Sequence, residues 1–182
     1  MLKSFIVTGA SAVGKSTLLR NMEQLGYNIL PSYTTRLPRP GEEDGDDYFF
    51  LSEETFLEHL ENGKMLERDS SVCLLKASGV HYGTPSFWVT ELANGGSVGN
   101  AMTLSGAKVA HFQSGATWVH LICDNNIRKK RLELRGHTNE EIDVRLHSGM
   151  WFIEIPECAK IIDTSRGTAL DTVREVQRMV DI

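Results

Sequence analysis

The sequence predicts an α/β fold of three layers, a central parallel sheet with helices on both faces, interrupted by one long insertion. Three observations predict it. Short β-branched and aromatic runs alternate with helix-periodic stretches through most of the chain, the pattern of strands buried on both faces by crossover helices. A glycine-rich turn separates the first strand from the first helix. Between about residues 33 and 93 the alternation breaks around a loop of proline, glycine and acids, which marks an inserted unit rather than more sheet.

The elements follow in order. Phe5, Ile6 and Val7, bounded by Gly9, read as a buried strand,. Leu18, Leu19, Met22 and Leu25 recur at helical spacing from Ser16 to Leu25, and Gly26 supplies the stop,. A second strand runs from Tyr27 to Leu30. The stretch Thr34 to Asp47 carries Pro38, Pro40, Gly41 and Gly45 among five acids, so it is an exposed loop, and it is too long for an idle connection. Tyr48 to Leu51 is strand-like. Ser52 caps the next helix with Glu54 or Thr55 as capping partner, Phe56, Leu57 and Leu60 form its apolar face, and Gly63 ends it,. Ser71 to Lys76 and Val80 to Tyr82 read as short strands, followed by a helix from Pro85 to Ala93 with proline in a tolerated first-turn position,. Beyond the insertion come a strand from Ser97 to Leu104, weakened by its glycines, a helix from Ala107 to Gln113 and the strong strand Trp118 to Cys123. Asn125 to Arg135 and Asn139 to Trp151 are helices separated by Gly136. Ala159 to Ile162 and Thr168 to Val180 give the last strand and helix.

Composition narrows the class. A chain of 182 residues is long enough for one domain with a sizeable core,. Its 41% hydrophobic and 24% charged residues are those of a globular protein and exclude a disordered or fibrous one,. A net charge of -5 argues against a standing nucleic-acid or anionic-membrane surface,. No apolar run approaches the roughly 20 residues of a membrane span, so a cytoplasmic location is expected. Cys73, Cys123 and Cys158 lack the paired spacing of zinc sites or disulfide frameworks and are expected to fill the core,.

The first strong motif is Gly9-Ala10-Ser11-Ala12-Val13-Gly14-Lys15-Ser16-Thr17. Gly9, Gly14, Lys15 and Ser16 satisfy G-x-x-x-x-G-K-[ST] between a predicted strand and a predicted helix, the context of a phosphate-binding P-loop. Glycines let successive N–H groups and the helix N-terminus surround an anion. Lys15 is expected to reach the β- and γ-phosphates of ATP, and Ser16 to hold Mg²⁺ through its hydroxyl. The fold class is therefore that of the P-loop NTPases.

A second motif is longer and more specific. Ser32, Thr34, Thr35, Arg36, Pro38, Arg39, Pro40, Gly41, Glu42, Gly45, Asp47, Tyr48 and Phe50 match the acceptor loop of guanylate kinases. Further matches stand at residues 63–67, at Tyr82-Gly83-Thr84, at Arg135-Gly136 and at Arg145-Leu146. Over nearly its whole length the chain resembles the guanylate kinase family. The resemblance implies a single domain, with a core at about 1–32 and 94–182, an acceptor-binding subdomain at about 33–93 and a helical lid at about 127–150. It also implies a monomer or homodimer that phosphorylates GMP or dGMP from ATP.

Guanidinium forks match a phosphate dianion bidentately. Arg36 and Arg39, on a proline-stiffened loop, with the hydroxyls of Tyr48 and Tyr82, thus read as a monophosphate clamp. The resemblance puts Glu67 where a glutamate accepts from guanine N1 and N2, and Ser32 and Thr84 beside the base. It puts Arg135 and Arg145 on the lid, where cations neutralise charge on the transferring phosphoryl. Arg128, Lys129 and Lys130 read instead as a solvated helix face. The resemblance breaks at one place: aligning on Gly106-Ala107 sets Ala101 and Thr103 where the family usually carries Asp-x-Asp, and Asp163-Thr164 stands where an asparagine helps hold adenine. Two other readings stay open on this ground: a kinase of another phosphorylated acceptor, such as ribose 1,5-bisphosphate or a modified nucleotide, and a guanylate-kinase-like binding module.

Overall fold

A computed structural model describes residues 2–68, 70–75, 79–101, 103–147 and 155–180. Five parallel strands form the main sheet: β1 (Phe5–Gly9), β2 (Asn28–Leu30), β7 (Ser97–Asn100), β8 (Thr117–Ile122) and β9 (Lys160–Asp163), in the order β2-β7-β1-β8-β9. Strand alternation sorts the core into two layers. Phe5, Val7, Val98, Val119, Leu121 and Ile162 face α1 (Lys15–Gln24) and α8 (Ala169–Val180), which contribute Leu18, Leu19, Met22, Val173, Val176 and Val180. Ile6 and Trp118 face the other way, toward α4 (Trp88–Asn94) and α5 (Leu104–Ser114), with Trp88, Leu92, Leu104, Ala107 and Ala110. Burying each large side chain contributes roughly 1.5–3 kcal/mol, so this double interface is the main source of the sheet's rigidity.

The weak strand prediction has a packing explanation. Trp88 lies against β7 so closely that a Cβ on Gly99 would meet its ring at 2.7 Å. The strand ends at Asn100, and α5 begins at Leu104 rather than Ala107 because Thr103 caps it, its Oγ1 accepting from Gly106 N at 3.0 Å,. Met102, within the predicted strand, is outside the described residues.

The insertion is a second small sheet, β4-β3-β6-β5, of β3 (Ser32–Thr34), β4 (Tyr48–Phe50), β5 (Leu74–Leu75) and β6 (Val80–Gly83). β3 pairs parallel with β4 and antiparallel with β6. The sheet packs on α2 (Glu53–Glu61), whose Phe56 is fully buried beside Met65 and Cys73. Ser52 caps α2 through Thr55 N at 3.1 Å, not through Glu54. The predicted strand at Ser71 to Lys76 is instead a helical turn, α3 (Ser70–Cys73), followed by β5, and Lys76 is outside the described residues. Pro85 pairs in a β-bridge with Met65, so α4 starts three residues later than expected. β3, unforeseen, is too short and polar to show a period.

After β8, α6 (Asn125–Glu133) and α7 (Asn139–His147) form a helical pair. The predicted continuation of α7 to Trp151 lies outside the described residues. Leu132, Ile142 and Leu146 pack on Ala12, seating the pair on the loop that follows β1. Of the three cysteines only Cys73 is buried; Cys123 is half-buried and Cys158 exposed, which corrects the expectation that all three fill the core.

Candidate active site

β1 ends at Gly9, where φ is 148° and a Cβ would lie 2.6 Å from the carbonyl oxygen of Leu121 on the neighbouring strand. Only glycine fits there. The chain then turns through Ala12, held at φ 64°, and enters α1 at Gly14 with φ 113°. The carbonyls of this loop are tied outward. Ser11 O accepts from Arg128 Nε at 3.0 Å, Ala12 O from Arg131 Nη1 at 3.0 Å and Val13 O from Thr164 Oγ1 at 2.6 Å. In a planar trans peptide the next N–H points opposite to the C=O. The amides of Ala12, Val13 and Gly14 therefore face away from those anchors, as an anion cradle requires.

Lys15 folds inward, donating to Gly9 O and, at 3.2 Å, to Ala10 O. Burial first, then Arg128 and Arg135, pull its pKa down to about 7. Ser16 and Thr17 are exposed on the first turn of α1. A cleft of about 340 Å³ opens beside the loop, walled by Val13, Gly14, Thr17, Arg131, Arg135 and Thr168. Asp163, at the end of β9, is engaged locally by Ser165 N at 2.9 Å and Arg166 Nε at 3.1 Å.

On the insertion, Arg36 makes a two-point pair with Glu42 at 2.8 and 3.0 Å and lies over the rings of Tyr48 and Phe50 at 5.3 and 5.6 Å. Burial opposes its charge, but the pair with Glu42 outweighs that and raises its pKa. Glu42 also accepts from Arg39 N at 2.8 Å, so one carboxylate organises both arginine positions. Tyr48 and Tyr82 stand edge to face at 6.2 Å, and burial followed by Tyr82 pushes the Tyr48 phenol up to about 12.

Glu67 is almost completely buried. Its carboxylate accepts from Thr84 N and Thr84 Oγ1, each at 2.8 Å, and from Thr103 Oγ1. Gly106 makes this possible, since a Cβ there would overlap Thr84 Oγ1 and Glu67 Oε1. Glu67, Thr84 and Thr103 thus form one network, while Ser32 stands apart from it, donating to Asn100 O at 2.7 Å.

The two halves meet through positive charge. Arg135 is depressed by burial, then by Arg39, Arg131 and Arg145, and Arg145 by burial, then by Arg39, with Arg36 also in reach. Mutual repulsion of positive charge therefore links Lys15 to Arg135, Arg135 to Arg39 and Arg145, and Arg145 to Arg36, a run of five cations drawn from three separate segments.

Three residues were not anticipated. Arg128 was expected on a solvated face, yet only 6% of it is exposed and it is bonded to the loop. Its position four residues before the buried Leu132 is the signal that would have placed it inward. Arg131 stands one turn after Arg128 on the same side of α6 and likewise bonds the loop,. His120 is buried on β8, its Nδ1 2.7 Å from Thr8 Oγ1, which accepts from Trp118 Nε1 at 2.8 Å. Burial, then Lys15, lowers its pKa to about 4, so it is neutral at pH 7.

The donor set suits a hydrated cation. Ser16 offers an exposed hydroxyl, and Asn100, at the end of the strand beside β1, keeps a buried Oδ1 without a hydrogen-bond partner. Oxygen donors of this kind fit Mg²⁺, which keeps waters and phosphate oxygens among its ligands.

The family model described as guanylate kinase matches residues 1–96. The chain is 36% identical over 143 residues to the guanylate kinase of Rubrobacter xylanophilus, an alignment covering 76% of this chain and 71% of that one. It is 35% identical over 150 residues to the guanylate kinase of Trichormus variabilis, covering 79% and 71%. Its fold matches the crystal structure of guanylate kinase from Anaplasma phagocytophilum with a TM-score of 0.63, over 99% of this chain and 85% of that one, at 20% identity.

Proposed function

This chain belongs to the guanylate kinase family, and from that membership we propose that it transfers the γ-phosphoryl group of ATP to GMP or dGMP. One observation carries the reading for this chain's own residues: Lys15, Arg135, Arg39, Arg145 and Arg36 form a continuous run of cations, each within electrostatic reach of the next. Like charges gathered in this way favour a polyanion between them.

In this reading the amides of Ala12, Val13 and Gly14 hold the donor phosphates, and Lys15 exchanges its carbonyl partners for the β- and γ-oxygens. Residues Gly9 to Thr17 make up the ATP loop. Ser16 would hold Mg²⁺, with the Asn100 oxygen available to it or to its water, and the ion supplies charge neutralisation on the phosphates. Arg36 and Arg39, with Tyr48 and Tyr82, hold the acceptor phosphate in line. Arg135 and Arg145 close from the lid and neutralise charge as the phosphoryl moves. Glu67, Thr84 and Ser32 read the base, and Thr103 orients Glu67 by hydrogen bonding. Among the described residues no helix is long and apolar enough to cross a membrane, and the cytoplasm, where both nucleotides are found, is the proposed location.

The test is a coupled ADP-release assay across the nucleoside monophosphates with Mg-ATP. Turnover is expected with GMP and dGMP and at least 10²-fold less with AMP, because a buried acceptor left unpaired penalises the wrong base. ATP binding without any guanine-dependent ADP release would refute the assignment.

A further inference from the structure

Arg128 carries an arrangement that the proposed reaction does not by itself require. Its guanidinium is buried on α6 and spends its donors on three neutral acceptors: Nε on Ser11 O at 3.0 Å, Nη1 on Asn125 Oδ1 at 2.8 Å and Nη2 on Arg145 O at 2.8 Å. Burial lowers its pKa, and it stands close enough to Lys15 to disfavour the ammonium there. Placing one cation in the interior beside another costs stability. Such a cost is retained where the geometry does something that a packed apolar side chain would not.

The geometry joins the loop after β1 to α7. Ser11 O is one of the three carbonyls whose outward anchoring turns the loop amides toward the phosphates. Arg145 O lies in the last described turn of α7. Arg131 and Thr164 anchor the neighbouring carbonyls of Ala12 and Val13. Of these three anchors, Arg128 also grips the helix that carries Arg145. Asn125 Oδ1 takes the remaining arm of the fork. Leu132, Ile142 and Leu146 on Ala12 give the same junction an apolar floor.

We infer that Arg128 is a positioning residue that ties the phosphate loop to the lid helix, so that the amide cradle and Arg145 are set as one unit when ATP binds. This inference rests on the kinase reading above. A lysine cannot replace it, since an ammonium is a point donor and does not span Ser11 O and Arg145 O from a fixed fork.

The experiment uses Arg128→Lys and Arg128→Met in the full chain, with wild type assayed first for GMP-dependent ADP formation. Hydrogen–deuterium exchange of α7 is then followed with and without an unreactive ATP analogue and Mg²⁺. In wild type the analogue is expected to slow exchange across residues 139–147. In both variants that protection is lost, KM for ATP rises about tenfold and kcat falls roughly ten- to hundredfold, while KM for GMP stays within twofold. Restoration of wild-type kinetics and protection by lysine would overturn the inference, as would a rise in KM for GMP equal to that for ATP, which is the mark of general loosening. Should the methionine variant fail to fold, the lysine variant, which keeps the charge and most of the packing, decides alone. The exchange measurement needs no acceptor, so an inactive wild type would defeat the kinase reading and leave this test standing.

Discussion

The proposed donor and acceptor sites are built from different materials. On the donor side the recognising groups are main-chain amides, aimed by glycine geometry and by carbonyls anchored to Arg128, Arg131 and Thr164. On the acceptor side they are side chains that already hold partners: Arg36 is paired with Glu42, and Glu67 is bound by Thr84 and Thr103. A backbone site aimed by glycine geometry and anchored carbonyls has few alternative partners, so most of it is formed before its ligand arrives. A side-chain site can satisfy itself, so its ligand must displace or share existing bonds. The donor site is therefore expected to lose rate when damaged, and the acceptor site to lose affinity and selectivity.

The largest effect tests the donor side. Lys15→Ala is expected to lower kcat by roughly 10³-fold with no fall in melting temperature, because the lost ammonium is one that burial already disfavours. A nearly unchanged rate would remove the loop lysine from the mechanism; a collapse in stability would show that Lys15 holds the loop together.

Next, Arg36→Met should cut kcat/KM for the acceptor by roughly 10²-fold while leaving KM for ATP within about twofold. Equal damage to both substrates in steady-state kinetics would erase the contrast between the two sites.

Thr103→Asp sharpens the contrast within the acceptor side. It would set a second carboxylate against Glu67 in a buried network, and like charges raise the pKa of such a pair. A carboxylate with a raised folded pKa stabilises at low pH, and the contribution is lost as pH rises. The variant should therefore melt about 3–10 °C below wild type at pH 8 and closer to it at pH 5. Saturating GMP, whose N1 and N2 donors can lie between carboxylates, should recover part of the deficit. Thermal scans showing no pH dependence would mean that the Thr103 hydroxyl does not face Glu67 in solution.

The smallest signal is a proton. Lys15, with a pKa near 7 in the free protein, is mostly neutral at pH 8, and bound phosphates favour its charged form. Binding of an ATP analogue should take up close to one proton at pH 8 and almost none at pH 6. Calorimetry in buffers of different ionisation enthalpy reads this directly, and equal heats in both buffers at pH 8 would contradict it.

Much of this molecule was legible from local sequence. The loop from Gly9 to Thr17, the strands around Ile6 and Val119 and the helices at residues 15–24, 53–61 and 169–180 each follow from residues close in the chain. Their determinants are backbone angles, caps and side-chain periods, all of which act within one or two turns. The acceptor loop was legible as a pattern of Ser32 to Phe50, within which Arg36 lies over the ring of Tyr48.

Tertiary structure decided which of these groups are occupied and by what. Thr103 reaches Glu67 across 36 residues, Thr8 meets His120 across 112 and Arg128 reaches Ser11 across 117. Each depends on strand order and helix docking, and no local period encodes those. A run such as Ile127 to Arg131 is charged whichever way it faces, and the spacing of Arg128 to Leu132 was the one local sign that it turns inward. The packing of Leu132, Ile142 and Leu146 on Ala12 settled that, because desolvation and shape are properties of the assembled interface rather than of any residue within it.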